Sequence, residues 1–345
     1  MATYDLTQAE LSAAINGNLD ASVRDFVLNF LFDEDSSANA QFGLSQAMGH
    51  NGPPGDDTVT VQISDGFQPL NPQAEALLLN SDHGVVEAKG QLDAIIQNVS
   101  GDSDLRVTGH QDLLVATGIG DNFVDMQGAA GDDIVLTGSG NDTIQDGKGN
   151  DTILSGDGND LIVGGDGKEE QLFDGGAGSD TIYGGEGNFD TIAGGDGSDS
   201  LIGGDGDNQL IEGGNGADTI FGGDGENNTL IGGTGADQIA VGDGDNQLVD
   251  GGGGSDTIWA GEGDSTLFGG TGDDTFNVTG DTGESTIVGG GGNNTIDFGD
   301  LASTDVTIGD TIAGTTTITF NDGGQTLTVS QVQDLVFTDG TQHLP

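Results

Sequence analysis

The chain has no cysteine, so it can form neither a disulfide nor a thiolate metal site. Cations are also scarce: 5 Lys and Arg residues stand against 59 Asp and Glu residues, and the formal net charge is −54. This charge excludes nucleic acid as a partner, because phosphates are repelled, and it suits the binding of many divalent cations. Without disulfides, bound metal is the available means of stabilising a secreted fold.

The N-terminal segment lacks the features of a cleaved secretory signal. Its first cation is Arg24, and no long apolar run precedes it. No apolar run in the chain approaches the length that spans a bilayer, so we expect no membrane insertion. We expect a chain that stays in the cytosol or is exported by a route that reads another segment.

Motifs of common enzyme classes are missing as well. The histidines (His50, His83, His110 and His343) are scattered, and no His-Glu-x-x-His sequence occurs. Neither a Gly-x-Ser-x-Gly nucleophile motif nor a Gly-Lys-Ser/Thr phosphate-binding loop is present. Acidic residues are so frequent that no glycosidase pair can be singled out. We predict that the protein is not an enzyme and has no catalytic residue.

A glycine-aspartate repeat dominates what is present, and 67 residues are glycine. Its clearest copies read Gly-Gly-x-Gly-x-Asp-x-U-x, with U a large apolar residue, as in residues 175–183 and 213–221. Glycine allows positive φ, so each copy can turn sharply and expose backbone carbonyls on the inner side of the turn. The Asp adds a carboxylate, and U can point inward from a short strand. Such oxygens from two neighbouring turns are the ligands that calcium prefers.

This nonapeptide resembles that of the RTX (hemolysin-type calcium-binding) family, over roughly half of the chain. The resemblance implies an all-β fold, a right-handed parallel β-roll or β-solenoid with turns that bind multiple Ca²⁺ ions. It also implies type I secretion, because the tail after Asp297 is similar to the C-terminal segments of such substrates. The missing protease and lipase motifs make the chain a non-enzymatic member. The buried apolar column is too small to offset ordering entropy and repulsion between turns, so we expect folding only with calcium.

The sequence pattern divides the chain into successive segments. The spacing of Thr7 and Glu10 predicts a helix capping box, and a strand-rich tail would cover the open end of a solenoid. The predicted segments are a helical N-terminal region with a linker, a β-rich region of early solenoid turns, the calcium-binding β-roll, and a β-strand cap carrying a secretion signal: residues 1–56, 57–127, 128–297 and 298–345.

Alternate repeats fall on opposite sides of a roll, so the sixth-position residues form two columns. One column is an uninterrupted run of Asp with Asn at each end, Asn122 and Asn294. On the other side Asp133 and Asp151 fit, Glu169 fits poorly, and the following turns are one residue longer. The predicted metal ligands are Asp133, Asp142, Asp151, Asp160, Asp180, Asp199, Asp218, Asp237, Asp256 and Asp274.

The longer turns allow two interpretations. Asn208, Asn227 and Asn246 recur 19 residues apart, and stacked amides can hydrogen-bond between turns without metal. Alternatively, a remodelled turn keeps calcium through the acids at the start of these turns, namely Asp205, Asp224 and Asp243.

Outward-facing residues are the place to look for a partner, because packing dictates the inward ones. On the Asp-rich side the residue after U is mostly apolar, and Ala240 belongs to the same run. This apolar stripe is either a set of unrelated or covered residues, or a contact surface for another copy or a surface ligand. The predicted interface residues are Val163, Tyr183, Ile202, Phe221 and Trp259.

These features predict a calcium-dependent extracellular structural protein: a surface-layer, filament or biofilm-matrix subunit that self-assembles into a homo-oligomeric sheet or filament on binding Ca²⁺. The alternative is a secreted calcium-binding adhesin or carbohydrate-binding module that contacts a cell-surface polysaccharide. Calcium is scarce in the cytosol and abundant outside, so such a chain can travel unfolded and fold after export.

Overall fold

A computed structural model describes residues 3–15, 18–19, 21–32, 58–64, 76–88, 92–97, 99–165, 167, 170–279 and 283–345. The chain forms two compact units, Met1–Ala177 and Gly178–Pro345. Their division falls inside the 128–297 segment, so the predicted domain boundaries stay a prediction. The predicted linker, residues 49–57, lies outside the described residues.

Within the described residues, the first unit contains two helices and thirteen strands. They are β1 (Thr3–Thr7), α1 (Gln8–Ile15), α2 (Ala21–Phe32), β2 (Thr58–Ser64), β3 (Ala76–Leu79), β4 (His83–Glu87), β5 (Ala94–Gln97), β6 (Ser103–Thr108), β7 (Leu114–Ala116), β8 (Asn122–Gly128), β9 (Ile134–Ser139), β10 (Thr143–Gln145), β11 (Thr152–Asp157), β12 (Leu161–Val163) and β13 (Leu172–Ala177).

From β3 onward, the strands of the first unit pair with their second neighbour in the chain, which is the topology of a parallel solenoid. One sheet runs β2–β3–β5–β7–β9–β11–β13, all parallel, with β1 added antiparallel to β2. The other runs β4–β6–β8–β10–β12, also parallel. Equivalent residues therefore stack: Ile153 lies beside Val135 on one side and Phe173 on the other.

Both helices cover one sheet of the first unit. The apolar faces of α1 and α2, including Leu11, Phe26 and Leu31, form one buried cluster with Leu78 and Leu114 of that sheet. Strands β3, β5 and β7 are consequently buried on both faces, and β3 reads as a continuous apolar run instead of alternating with polar residues. The predicted helical N-terminal region is thus confirmed within the described residues.

The described part of the second unit consists of eighteen strands and one short 3₁₀ helix, Ser303–Asp305. Its strands are β14 (Thr181–Tyr183), β15 (Thr191–Asp196), β16 (Ser200–Ile202), β17 (Leu210–Asn215), β18 (Thr219–Phe221), β19 (Thr229–Thr234), β20 (Gln238–Ala240), β21 (Gln247–Gly253), β22 (Thr257–Trp259), β23 (Ser265–Thr271), β24 (Thr275–Asn277), β25 (Ser285–Gly291), β26 (Thr295–Asp297), β27 (Val306–Ile308), β28 (Thr315–Phe320), β29 (Thr326–Ser330), β30 (Asp334–Phe337) and β31 (Gly340–His343).

The apolar residue of each repeat forms the core of the second unit. In the sheet of even-numbered strands, Leu201, Ile220 and Ile239 stack in register, and each is fully buried. In the sheet of odd-numbered strands, Ile211 and Leu230 do the same. One side chain per strand therefore fills the interior, as the position U of the repeat predicts.

The C-terminal strands close the second unit. Strands β29 and β30 continue the two parallel sheets beyond β25 and β26, whereas β28 and β31 pair antiparallel with them. Phe298 stacks on Phe337, with ring centroids 4.8 Å apart, and meets Phe320 edge-on. This aromatic cluster covers the last turn of the core, and the predicted β-strand cap is confirmed.

The fold class is confirmed, because both units are parallel β-solenoids and helix is limited to the N-terminal region and one short turn of the described chain. No helix in the described ranges is long and apolar enough to cross a membrane.

Replacing Ile220 by Ala should lower the free energy of unfolding in calcium by about 2–5 kcal/mol, because the side chain is fully buried between Leu201 and Ile239. Denaturant unfolding followed by circular dichroism measures this. The matched control is Thr219→Ala, an outward-facing neighbour whose loss should cost less than about 1 kcal/mol. Equal losses for the two variants would contradict this account of the core.

Candidate calcium-binding turns

The turn between β17 and β18 shows how each Asp-bearing repeat is built. Gly214 and Gly216 have φ of 107° and 136°, values that L side chains rarely adopt. The chain reverses within these residues and delivers Asp218 at the start of β18, where only 1% of its surface is exposed. Burial of a carboxylate at this point follows from its position, two residues before the core residue Ile220.

Each buried Asp uses one carboxylate oxygen to hold the neighbouring turn. Oδ1 of Asp218 accepts the backbone N–H of Asp199 at 2.8 Å, and Oδ1 of Asp237 accepts that of Asp218 at 2.8 Å. In the first unit, Oδ1 of Asp160 accepts the N–H of Asp142 at 2.7 Å. We call this column the Asp ladder; its members are Asp142 and Asp160 in the first unit and Asp180, Asp199, Asp218, Asp237, Asp256 and Asp274 in the second.

The other carboxylate oxygen is buried and accepts no hydrogen bond. This holds for Oδ2 in Asp199, Asp218, Asp237, Asp256 and Asp274. A buried acceptor without a partner is costly, and an ionised one more so, unless a cation contacts it. The buried carboxylates of the Asp ladder therefore require a cation that the protein itself does not supply.

A second oxygen converges on the same point from the next turn. A Cβ atom built on Gly213 would lie 2.5 Å from Oδ2 of Asp218 and 2.5 Å from the carbonyl oxygen of Gly232. The same construction on Gly232 gives 2.6 Å to Asp237 Oδ2 and 2.6 Å to Gly251 O. Only glycine leaves this space open. Calcium binds carboxylate and carbonyl oxygens at 2.3–2.6 Å, so the donor set and the space fit this ion.

The electrostatics of the Asp ladder also favour a cation. Burial, together with a smaller contribution from neighbouring carboxylates of the column, raises the pKa of Asp199 and of Asp256 to about 6. Burial shifts the pKa of Asp218 in the same direction. At neutral pH these groups ionise at a free-energy cost, which a divalent ion between adjacent turns offsets.

The other column of the first unit begins with Asp as predicted. Asp133 and Asp151 are both buried, and Asp133 donates its backbone N–H to Oδ1 of Asp151 at 2.7 Å. Burial raises the pKa of Asp133 to about 8. The next member is Gln171, since Leu172 pairs with Thr152; Glu169, which the sequence pattern suggested, lies outside the described residues.

In the second unit the corresponding column begins with buried Asp190, continues through three buried amides and ends in two buried serines: Gln209, Asn228, Gln247, Ser265 and Ser285. Gln209 donates from Nε2 to the carbonyl oxygens of Gly187 and Gly203, both at 3.1 Å. Its neighbour Asn228 donates from Nδ2 to Gly225 O at 3.2 Å and accepts the N–H of Gln209 at 2.8 Å. An amide thus holds the neighbouring turn as Asp does, and its N–H₂ group satisfies turn carbonyls where a cation is otherwise required.

The amide ladder exists, but the residues predicted for it were wrong. Asn208, Asn227 and Asn246 are exposed and have φ of 60°, 61° and 62°, so they shape the turn and do not stack inside it. The buried amides are the residues that follow them, Gln209, Asn228 and Gln247. The longer turn moves the buried amide position by one residue. That position lies two residues before the core residue U, so it is found by counting back from U and missed by counting forward from the glycines.

The remodelled-turn alternative has less support from the geometry. Asp205, Asp224 and Asp243 are exposed, and Oδ1 of Asp224 accepts the N–H of Asp243 at 3.1 Å. Across the described part of the chain, no three acidic or histidine side chains gather into a metal-binding group. Backbone carbonyls must therefore supply most ligands of any bound ion.

In both units the Asp ladder ends in an asparagine whose amide donates to turn carbonyls, as the buried amides of the other column do. Asn122 donates from Nδ2 to the carbonyl oxygens of Gly118 and Gly120 at 2.9 and 2.7 Å. Asn294 donates from Nδ2 to Gln331 O at 3.0 Å. These end turns are satisfied without metal.

Comparison with known proteins agrees with this geometry. A family model described as the RTX calcium-binding nonapeptide repeat (4 copies) matches residues 118–144, 136–168, 172–188, 189–211, 208–227, 223–249, 250–279 and 277–302, together more than half of the chain. No curated protein matches. The match confirms the prediction of several Ca²⁺ ions, while the individual ligand residues stay a prediction.

Two substitutions of Asp218 separate its roles. Asp218→Ala and Asp218→Asn should each lower the number of bound calcium ions, because both remove the carboxylate. Asp218→Asn should be more stable than Asp218→Ala by about 0.5–1.5 kcal/mol, since an amide can donate to turn carbonyls as Asn122 does. Calorimetric titration and denaturant unfolding measure the two effects. Asp224→Asn is the control, and loss of calcium there would support the remodelled turn instead.

The raised pKa values predict opposite effects of pH with and without calcium. A carboxyl group with a folded pKa of about 6, as for Asp199, and an ordinary pKa of 3.8 when the chain is unfolded favours the folded state at low pH. That contribution is lost as the pH rises through 6. Calcium-free protein should therefore resist urea better at pH 4.5 than at pH 7.5. In millimolar calcium the order should reverse, because protons compete with the ion. A calcium-free midpoint that increases with pH would refute this.

Proposed function

The chain belongs to the RTX calcium-binding nonapeptide repeat family, and from this premise we propose that it is a calcium-dependent structural protein of the cell exterior. In this proposal it is a surface-layer, filament or biofilm-matrix subunit that folds and self-assembles when it binds calcium. It carries no catalytic site, and its main partner is another copy of itself.

The observation that carries the proposal is an exposed apolar column on the second unit. Tyr183, Ile202, Phe221, Ala240 and Trp259 occupy the same register position of successive parallel strands, β14 to β22. Strand spacing of about 4.8 Å makes this column roughly 20 Å long. We call it the aromatic stripe.

The aromatic stripe leaves large apolar surfaces in water. Tyr183 is 45% exposed, Phe221 46% and Trp259 41%. Large aromatic side chains at the centre of a flat surface are typical of protein contacts. Val163, the remaining predicted interface residue, lies beside Gln145 in the first unit and is half-buried. We include Val163 in the proposed interface together with the residues of the aromatic stripe.

Net charge gives a second reason, besides the need of calcium for folding, why assembly should require calcium. Copies with a formal charge of −54 repel one another strongly at neutral pH. Bound divalent ions reduce this charge and simultaneously order the strands that present the stripe. The cytosol is poor in free calcium, so folding and assembly after secretion are favoured over assembly inside the cell.

The second candidate is an adhesin or carbohydrate-binding module. Exposed rings such as Tyr183 and Trp259 can also stack on the apolar faces of sugar rings, so a cell-surface polysaccharide is a possible ligand of the same stripe. The two functions differ in what the purified protein does alone: a structural subunit assembles, whereas a binding module stays monomeric.

Electron microscopy of purified protein in millimolar calcium should show sheets or filaments, and in chelator none. The double variant Phe221→Asp/Trp259→Asp should still fold with calcium, as followed by circular dichroism. Its assembled fraction should fall by about tenfold or more, because the substitutions place charge in a desolvated contact.

The matched control is Leu248→Asp, which removes a residue of similar exposure (43%) from the sheet of odd-numbered strands. It should assemble like the unmodified protein. Monomeric wild-type protein in calcium, or normal assembly of the double variant, would refute the structural role. Monomers that bind polysaccharide through the stripe would support the second candidate.

A further inference from the structure

Helix α2 covers only part of the sheet on which it packs, and a groove opens along its edge. The sheet presents Leu136, Leu154 and Asp174 in register on three successive strands, β9, β11 and β13. Leu136 is buried in the apolar cluster beneath the helices, whereas Leu154 is only partly buried and packs against that cluster. The cluster therefore ends at β11, where the outward column changes from apolar to acidic.

The groove has an apolar wall and a floor of bare backbone. Val23 and Phe26 of α2, both buried, form the wall. The floor consists of three glycines that share one register position and have φ of 103°, 104° and 93°: Gly138, Gly156 and Gly176. These φ values favour glycine, so no side chain fills the space above the floor. The groove has a volume of about 440 Å³, within the range of about 300–1,000 Å³ that is typical of small-molecule pockets.

Two carboxylates lie at the open side of the groove. Asp157 is exposed at the end of β11, and Asp174 is half-buried on β13. Burial raises the pKa of Asp174, and a hydrogen bond from the backbone N–H of Gly176 offsets this only in part. Asp157 and Asp174 are the only charged side chains among the described residues that line the groove. A cationic group is therefore attracted to this side, and an anion is repelled.

From this arrangement we propose that the groove binds a small organic amine. Asp157 and Asp174 hold its ammonium group, and its apolar body lies against Phe26 and Leu154. An inorganic cation would leave the apolar wall in contact with water, and a neutral apolar compound would leave the half-buried carboxylate without a counter-charge. Asp174 directly follows the core residue Phe173, so this site lies on the outer face of the sheet and apart from the calcium-binding turns.

Three probes with the same apolar body and different head groups test the proposal. Folded full-length protein in millimolar calcium and physiological salt is dialysed to equilibrium against phenylbutylamine, phenylbutanol or phenylbutyrate, and bound probe is counted per chain. The amine should bind at least about tenfold more tightly than the alcohol, because its ammonium group adds a charge-assisted hydrogen bond. The anion should not bind measurably. The count per chain does not depend on assembly, so the result is independent of the proposed function.

Asp174→Asn preserves the shape of the side chain and removes its charge. It should weaken binding of the amine about tenfold and leave binding of the alcohol unchanged. The matched control is Asp250→Asn on β21, because Asp250 also follows a core residue, is exposed, and accepts the N–H of the glycine two residues further on, as Asp174 does. This control should bind the amine as the wild type does.

Leu154→Ala is a second variant, which leaves both carboxylates in place and should weaken binding of the amine and the alcohol alike. Equal weakening of amine binding in Asp174→Asn and Asp250→Asn would overturn the proposal, because it would show general attraction to a chain with a formal charge of −54. Wild-type protein that does not bind the amine, or binds the alcohol as tightly, would also overturn it. So would unchanged binding in Leu154→Ala.

Discussion

Everything in this structure depends on a row of buried carboxylates whose charge the protein itself does not neutralise. Asp199, Asp218 and Asp237 each give one oxygen to a backbone N–H of the adjoining turn and leave the other buried without a donor. The carbonyl of the next turn points at the same space. A divalent ion there joins successive turns, so metal binding and strand stacking are one process. Without the ion, the same carboxylates oppose folding at neutral pH.

The second unit solves one structural problem in two ways. Each turn must hold its neighbour and must also satisfy carbonyls that face inward. Asp218 accepts the backbone N–H of Asp199 but needs a cation for the carbonyls. Asn228 accepts the N–H of Gln209 and also donates to the carbonyl oxygen of Gly225 with one amide. The two columns therefore differ in their need for calcium, and the turns of the amide column also differ in backbone, with Asn208, Asn227 and Asn246 at positive φ. The Asn residues at the ladder ends show the same principle, since their amides donate to turn carbonyls.

Open ends and faces are closed by apolar packing and need no metal. In the first unit, α1 and α2 bury a sheet whose outward side chains would otherwise contact water. In the second, Phe298 and antiparallel strands cover the final turn. The aromatic stripe has no such cover within its unit, since Tyr183, Phe221 and Trp259 remain over two-fifths exposed. That contrast is the reason to propose a partner for the stripe.

The sequence by itself determined the repeat, its core and its cap. Period and apolar position were sufficient for residues such as Ile220, because burial at U repeats without exception through the glycine-rich turns. Sequence alone misassigned the amide ladder to Asn208 in place of Gln209, because spacing says which residues share a column only once the backbone path of the turn is known. Which buried oxygens lack a donor is a property of contacts between turns, so only the tertiary structure decided where a cation is required.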